Sequence, residues 1–512
     1  MTMLLRPRAT IVLAAALAAC TPVAARTPPI VPAPAPAPVV MPPPPSREAV
    51  LAASLDSIFG DTLFAGANWG VEIRTLQTGS VLYQRNAGKM FVPASNMKIV
   101  TAAAALETLG PDFVYRTPVV VAGTISNGVL RGDLVVVGSG DPTIAADFHR
   151  GDARAVFRAW ADSLRARGVR RITGRIVGND DVFDDVPLGR GWAWDDLADY
   201  YSAEVGGLQY NLGVVGITAA AGSAPGAAPR ITLDPQTRYV RVTTTARTVA
   251  PGADDEIEVT RADTGNTFTV AGQIPADTGT VRNDMAVRNN TAYFVTVLRE
   301  TLVERGIRVD GAALDHDTLA PAARPVARDT LFVHRSPPMR EILAGFMKPS
   351  QNQIGEILLK TMGRTLRGQG TARAGIAVVD SAMRAWGMPP RRLAQADGSG
   401  LSRYNLVAPV FLIELLEHMR QSPNWQTFYD AMPVAGVDGT LRNRMRGTPL
   451  QGNVHAKTGT VSNVRSLSGY MTTQAGEPIV FSIIVNHHTL TSRDADRLAE
   501  AALGRVHALS RP

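Results

Sequence analysis

The sequence predicts an α/β protein whose sheet is assembled from both ends of the folded region, with a large β-rich insertion between them. Three observations carry this. A helical segment, Arg47 to Ile58, precedes two strand-like stretches, Trp69 to Leu76 and Ser80 to Arg85, joined by the turn-forming Gln77-Thr78-Gly79. Near the other end, Val454 to Thr460, Leu467 to Thr473 and Pro478 to Asn486 read as strands, the last so continuously apolar that it fits burial on both faces. Ser492 to Leu509 then carries the pattern of an amphipathic helix that covers a sheet.

Between these ends, Pro93 introduces Ala94 to Leu106, whose alanine and apolar content predicts a buried helix starting at or near Ser95. Met339 to Met347 is amphipathic and Gln353 to Met362 is helical, which leaves Ser350 and Asn352 on the turn between them. About 250 residues separate Lys98 from Ser350, too many for a loop, so at least one whole domain is inserted there. From about Tyr115 to Leu331 the chain is β-rich, with strands at Val119 to Ala122, Leu134 to Val137, Tyr239 to Thr245 and Glu256 to Thr260. A lone long helix is expected near Thr291 to Arg305, and the Gly/Ala-rich piece Ala219 to Ala228 suggests a mobile connection.

At 512 residues the chain should hold two or three domains, and 45% apolar with 19% charged residues is the balance of a soluble globular protein. The net charge of +7 is a modest excess, better explained in so long a chain by a solvated surface than by affinity for anionic cell-envelope polymers. Residues 1–20 read as an export signal, with Arg6 and Arg8 before the apolar run Ile11 to Leu17, which is too short to span a bilayer. The run closes in Leu17-Ala18-Ala19-Cys20, which resembles a bacterial lipobox; the single cysteine then becomes a lipid attachment point and needs no disulfide partner. Residues 21–46 hold eleven prolines and read as a semi-rigid tether. Fully extended, it reaches on the order of 80 Å at about 3.1 Å per residue.

Three short motifs carry the chemistry: Ser95-Asn96-Met97-Lys98, Ser350-Gln351-Asn352 and Lys457-Thr458-Gly459. Of 52 basic residues only five are lysine (Lys89, Lys98, Lys348, Lys360 and Lys457), and Lys98 alone has a serine three residues before it. Arginine stays protonated in proteins, whereas a desolvated lysine near another cation can lose its proton and act as a base. Three residues is one helical turn, so Lys98 can reach the Ser95 oxygen, and the helix N-terminus favours an ionising hydroxyl or a nearby oxyanion. The set describes a serine nucleophile with its own proton carriers, hence an acyl-transfer enzyme.

This set resembles the S-x-x-K, S-x-N and K-T-G signatures of the penicillin-recognising serine enzymes. The long insertion, with Phe91-Val92-Pro93-Ala94, Gly138 to Thr143, Gly191 to Asp196, Asp397 to Arg403 and Ala435 to Leu441, is similar to the class C low-molecular-mass penicillin-binding proteins. Those are D-alanyl-D-alanine carboxypeptidases with endopeptidase activity on peptidoglycan. Gln351 stands where many relatives have aspartate or asparagine, at a position the motif leaves open. The resemblance implies an α/β (α+β) transpeptidase/β-lactamase-like core, helices on a mainly antiparallel sheet, plus large β-rich inserted domains. The division it suggests is a catalytic domain from 47–115 and 330–512, an insertion at 116–329, and a nested third domain near 213–280.

By the same resemblance, Ser95 attacks the carbonyl of the penultimate D-alanine with Lys98 as base, Ser350 relays a proton to the leaving amine, and Asn352 bonds the substrate backbone. Lys457 keeps the field positive, Thr458 joins it on the substrate carboxylate, and the Ser95 and Thr460 N–H groups form the oxyanion hole beside Gly459. Asp180 is the candidate to meet the amine of a diaminopimelate side chain. No cofactor and no metal are expected, since no H-E-x-x-H pattern occurs. The expected partners are peptidoglycan stem peptides, β-lactams as covalent inhibitors and a membrane through Cys20, with no nucleic acid. The location is exported and periplasmic. A β-lactamase-like hydrolase and a non-catalytic, penicillin-sensing envelope protein are the alternatives.

Overall fold

A computed structural model describes residues 46–326 and 328–509. The expected signal segment, Cys20 and all of the tether except Ser46 lie outside the described residues. Ser46 caps the first helix, Arg47–Phe59, by accepting a hydrogen bond from the Ala49 N–H.

The core sheet has five strands in the order Val81–Arg85, Asn68–Thr75, Pro478–Asn486, Val464–Thr472, His455–Val461, and every pairing is antiparallel. Strands from both ends of the chain thus share one sheet. Pro478–Asn486 lies at its centre, and alternation sorts its side chains: Ile479, Phe481, Ile483 and Val485 join one apolar cluster, while Val480 and Ile484 join another. The first cluster is closed by the terminal helices Arg47–Phe59 and Ser492–His507, through Leu55, Phe59, Leu503 and Val506. The second is closed by Met97–Leu109, Met339–Met347, Asn352–Arg367, Ala372–Ala385 and Pro409–Gln421. Each large apolar side chain buried this way contributes about 1.5–3 kcal/mol.

The insertion is built on a seven-stranded sheet that includes Arg116–Ser126, Val129–Val137, Ile176–Asn179, Ala313–Asp315 and Asp329–Arg335. Asp329–Arg335 pairs antiparallel with Arg116–Ser126 in this sheet. Smaller sheets follow, among them Val214–Ala220 with Arg230–Asp234 and Thr280–Ala286. One apolar cluster joins them to the larger sheet, since Val215, Ile217 and Phe268 share it with Val119, Phe157 and Trp160.

Two expectations for this region need correction. The helix Asn290–Glu304 is not alone: Ala155–Ala166 is a second helix, burying Val156, Phe157, Trp160, Ala161 and Leu164. That spacing is helical, but Arg154 stands at the N-cap position with no capping side-chain bond, so the usual start signal is missing. The Ala219 to Ala228 piece is a hairpin connection pinned to one residue, not a loose linker. Gly222 N–H donates to Thr248 Oγ1 at 2.7 Å, Gly226 N–H to the Thr248 carbonyl at 2.8 Å, and Thr248 N–H to the Ala227 carbonyl at 2.8 Å.

Candidate active site

The three motifs converge. Ser95 lies in a single 3-10 turn, Ala94–Asn96, that runs into the helix Met97–Leu109. Asn96 Nδ2 donates to Ser466 Oγ at 2.7 Å, and Ser466 Oγ donates to the Pro93 carbonyl at 2.7 Å, clamping the turn to the sheet. Gly459 permits this approach. A methyl group there would stand 2.2 Å from Ser466 Oγ, 2.8 Å from the Pro93 oxygen and 3.0 Å from the Ser95 nitrogen.

One turn after the serine, the Lys98 amine donates to Ser95 Oγ at 2.9 Å, to Asn352 Oδ1 at 2.6 Å and to the Ser399 carbonyl at 2.7 Å. Lys98 is 0% exposed. Burial pulls its pKa down to about 7, against the opposing pull of the Asp397 and Glu356 carboxylates. The amine of Lys457, equally buried, is also held well below its ordinary value, first by burial and then by the charges of Lys98 and Arg465. Burial, more than the lysine pair itself, therefore lowers the Lys98 pKa. A partly neutral amine bonded to a serine hydroxyl can take the hydroxyl proton as an attack begins.

Lys457 Nζ donates to Ser350 Oγ at 2.8 Å and to the Thr458 carbonyl at 2.8 Å. Ser350 occupies the turn between two helices with φ +66°, a left-handed conformation that aims its hydroxyl at this amine. Asn352 opens the second helix, and both ends of its amide are taken: Oδ1 accepts from Lys98, and Nδ2 donates to the Tyr201 carbonyl at 2.8 Å. It ties the Lys98 amine to the insertion, and the second hydrogen of its Nδ2 remains available on the cleft wall. Thr458 Oγ1 donates to Thr440 Oγ1 at 2.7 Å. Thr460 lies on the edge strand, its hydroxyl met by the Arg465 guanidinium, which also pairs with Asp496.

These residues line a cleft of about 1230 Å³ that includes Ser95, Ser350, Asn352, Thr458 and Thr460 from the core and Asp147, Tyr201 and Asp284 from the insertion. Asp180 does not line it. Its carboxylate accepts from Thr291 Oγ1 at 2.6 Å, and burial, with the neighbouring Asp315 and Asp317, pushes its pKa up to about 6. The expectation for Asp180 is corrected accordingly, because its side chain is turned into the helix Asn290–Glu304. Asp147 is one of several acids of the insertion that line the cleft, with Asp195, Asp196, Asp234 and Asp284, and its pKa is raised by burial and by the charge of Asp284.

Sequence reasoning missed Glu356. This fully buried acid accepts from the Gly398 N–H at 2.9 Å and the Ser399 N–H at 2.8 Å, holding the loop whose carbonyl takes Lys98. An acid one helical turn after Asn352, amid apolar residues, was the available signal. Asp397 is a turn-maker as its glycine-rich setting suggests, accepting from Gly400 and Ser402 N–H groups. It also accepts from the Trp192 indole at 3.0 Å, a second tie to the insertion.

With this geometry in place, comparison with known proteins gives the lineage. Residues 51–507 match the model of the D-Ala-D-Ala carboxypeptidase 3 (S13) family. The chain belongs to this family. It is 36% identical over 476 residues to the D-alanyl-D-alanine carboxypeptidase of Actinomadura sp. (strain R39), covering 89% of this chain and 86% of that one. It is 28% identical over 430 residues to the D-alanyl-D-alanine carboxypeptidase DacB of Haemophilus influenzae, covering 83% and 86%. The crystal structure of penicillin-binding protein 4 from H. influenzae superposes with a TM-score of 0.76 at 26% identity, over 90% of this chain and 99% of that one. As an S13-family member the protein is a serine D-Ala-D-Ala carboxypeptidase acting on peptidoglycan, and it works outside the cytoplasm, where that polymer lies.

Proposed function

We propose that Ser95 is the nucleophile of this carboxypeptidase and that Lys98 is its general base. The observation that carries this is the 2.9 Å hydrogen bond between a fully buried lysine amine and the serine hydroxyl at the floor of the cleft. Ser95 Oγ attacks the carbonyl carbon of the penultimate D-alanine while its proton passes to Lys98 Nζ. The developing oxyanion is received by the backbone N–H groups of Ser95 and Thr460, each such donor being worth about 3 kcal/mol of barrier. Ser350 passes a proton to the departing D-alanine nitrogen as the C–N bond breaks and takes one back from Lys457 Nζ, to which it is hydrogen-bonded. Water then cleaves the Ser95 ester, its proton passing through Ser350 to Lys457 while Lys98 returns the first proton to Ser95 Oγ, and the shortened stem peptide is released.

The terminal carboxylate of the substrate lies against Lys457 and Thr458. Burial holds the Lys457 amine low, and an arriving carboxylate raises it, so the site becomes cationic when the anion binds. Asp147, not Asp180, meets the side-chain amine of the third stem residue. A cleft of this size takes a branched, cross-linked stem peptide, which supports endopeptidase action beside the carboxypeptidase.

β-Lactams acylate Ser95 in the same manner, a reading supported by the H. influenzae protein having been solved with a β-lactam. Cys20 carries the lipid and the proline-rich segment is the spacer to the membrane. The catalytic part is split in sequence around the insertion, which carries the strands near 213–280 as a nested unit.

Mass spectrometry after penicillin treatment, with D-alanine release from a pentapeptide, tests the mechanism. The expected result is an adduct on the Ser95 peptide, and both signals vanish in Ser95→Ala. An adduct on another residue overturns it.

A further inference from the structure

A second group of ionisable side chains lies away from the cleft, at the ends of two neighbouring strands of the insertion. Ile176–Asn179 and Ala313–Asp315 pair in parallel, with Asp315 opposite Gly178. The chain leaving one strand delivers Asp180 and Asp181, and the other delivers Asp315, His316 and Asp317, to the same end of the sheet. His316 Nδ1 stands 3.6 Å from Asp317 Oδ1 and 3.8 Å from Asp181 Oδ2, and donor atoms of the three residues all lie within 4.8 Å of one another. Asp180, Asp315 and Asp317 form a second triad within the same limit, sharing Asp317.

A set of acids alone would be a solvated turn, but the histidine adds an independent observation. His316 is only 9% exposed, and its Nδ1 is buried with no hydrogen-bond partner although it faces two carboxylates. Separations of 3.6 and 3.8 Å are too long for hydrogen bonds. They are close to the spacing of ligands around a metal, since donors about 2.0–2.1 Å from a tetrahedral zinc stand roughly 3.4 Å apart. Neighbouring polar side chains hold three of the acids: Asn179 Nδ2 donates at 2.7 Å to Asp181 Oδ2, the oxygen that faces His316, Thr291 Oγ1 donates to Asp180 at 2.6 Å and Asn289 Nδ2 to Asp315 at 2.8 Å. Such outer contacts are typical of metal ligands. The cation nearest the group is the Arg324 guanidinium, 3.6 Å from Asp317.

We propose that Asp181, His316 and Asp317 bind one divalent first-row transition-metal cation, zinc or manganese, with Asp180 and Asp315 supplying negative charge behind it. An imidazole among carboxylates favours these ions over magnesium or calcium, which prefer all-oxygen sites. The cation is structural and takes no part in the acyl transfer. Asp181 stands at the root of the segment that carries Trp192 to Asp397 and the Tyr201 carbonyl to Asn352, so the metal anchors the arm by which the insertion reaches the active centre.

The test is titration of the chelator-stripped full-length protein with Zn²⁺ alone and with Mn²⁺ alone, read by calorimetry and by metal content after dialysis. About one equivalent per chain and a raised melting temperature are expected, with affinity falling at least about tenfold in Asp181→Asn and in His316→Ala. No retained cation, with melting unaffected by either ion, overturns the proposal. Binding that survives both substitutions overturns it too, because the metal then lies elsewhere. Asp181 has a side chain more than half exposed, so Asp181→Asn decides the matter should His316→Ala lose its folded circular dichroism spectrum.

Discussion

Glu356 holds the backbone of Ser399: its carboxylate accepts the Ser399 N–H at 2.8 Å, and the carbonyl of that same residue accepts the Lys98 amine at 2.7 Å. The acid therefore acts on the proposed base twice, by fixing its acceptor and by favouring its charged form. Lys98 must be neutral to receive the serine proton, so acylation should fall as pH drops through about 7. Burial pushes the Glu356 pKa up to about 7 as well, so the charge that Glu356→Gln removes is present above that pH; there the Lys98 pKa drops in the variant, and the midpoint of the acid limb of kcat/KM moves to lower pH. The amide NH2 that replaces one oxygen must also face the Gly398 N–H, at a cost of about 1–3 kcal/mol in stability. A pH profile of β-lactam acylation read beside thermal melts checks both parts; a midpoint that stays put or moves to higher pH refutes the electrostatic role.

Lys98→Arg keeps the positive charge and removes the base, because a guanidinium does not deprotonate in this pH range. The acylation rate should fall by about 10²–10⁴, the usual worth of general-base catalysis. Stopped-flow or quenched-flow acylation by a chromogenic β-lactam reads the loss. Activity within a few fold of the parent would move the base elsewhere, with Lys457 the next candidate.

Much of this site was legible in the sequence because each motif pairs a reactive side chain with a local element. Ser95 lies in the 3-10 turn that runs into the helix of Lys98, one turn before it, and Lys457 lies on a strand, so spacing alone brings the first pair together. The strand Pro478–Asn486 was equally readable, since a continuous apolar run has few places to go but a sheet centre. What stayed hidden depends on contacts across long separations. Nothing local to Asn352 reveals that Tyr201, 151 positions away, occupies its amide nitrogen. Asp180 and Asp147 are both acids in turns, and only the fold decides that Thr291 takes one while the cleft receives the other. Glu356 reads as an ordinary helix acid until the 398–400 loop is seen to close over it.

Gly459→Ala should separate the edge strand from the nucleophile turn. The added methyl meets the Pro93 oxygen at 2.8 Å and the Ser95 nitrogen at 3.0 Å, neither of which can swing aside as a flexible side chain would. Overpacking of this kind costs about 1–3 kcal/mol in stability. The displaced strand also carries Thr460, so loss of one oxyanion donor should lower acylation by roughly 10²–10³. Gly88→Ala, where nothing lies within 4 Å of the new methyl, is the control and should leave both melting and acylation unchanged. Equal behaviour of the two variants would mean that the strand does not bear on the serine.

Asp147→Asn tests which acid reads the stem peptide. Asp147 opens onto the cleft, whereas Asp180 is engaged by Thr291. A hydrogen bond from a substrate ammonium to a carboxylate is worth about 1.5–3 kcal/mol, which corresponds to roughly ten- to hundredfold in kcat/KM. The loss should appear with a peptide whose third residue ends in an amine and be absent with one truncated to alanine at that position, because the truncated peptide never made the contact. The pH dependence adds a second check. Asp147 has a raised pKa, so discrimination between the two peptides should weaken on the acid side as its carboxyl gains a proton and the attraction for the ammonium is lost. Competition assays with the two peptides across that range measure it, and a preference that persists in Asp147→Asn assigns the contact to another residue of the cleft wall, with Asp284 first in line.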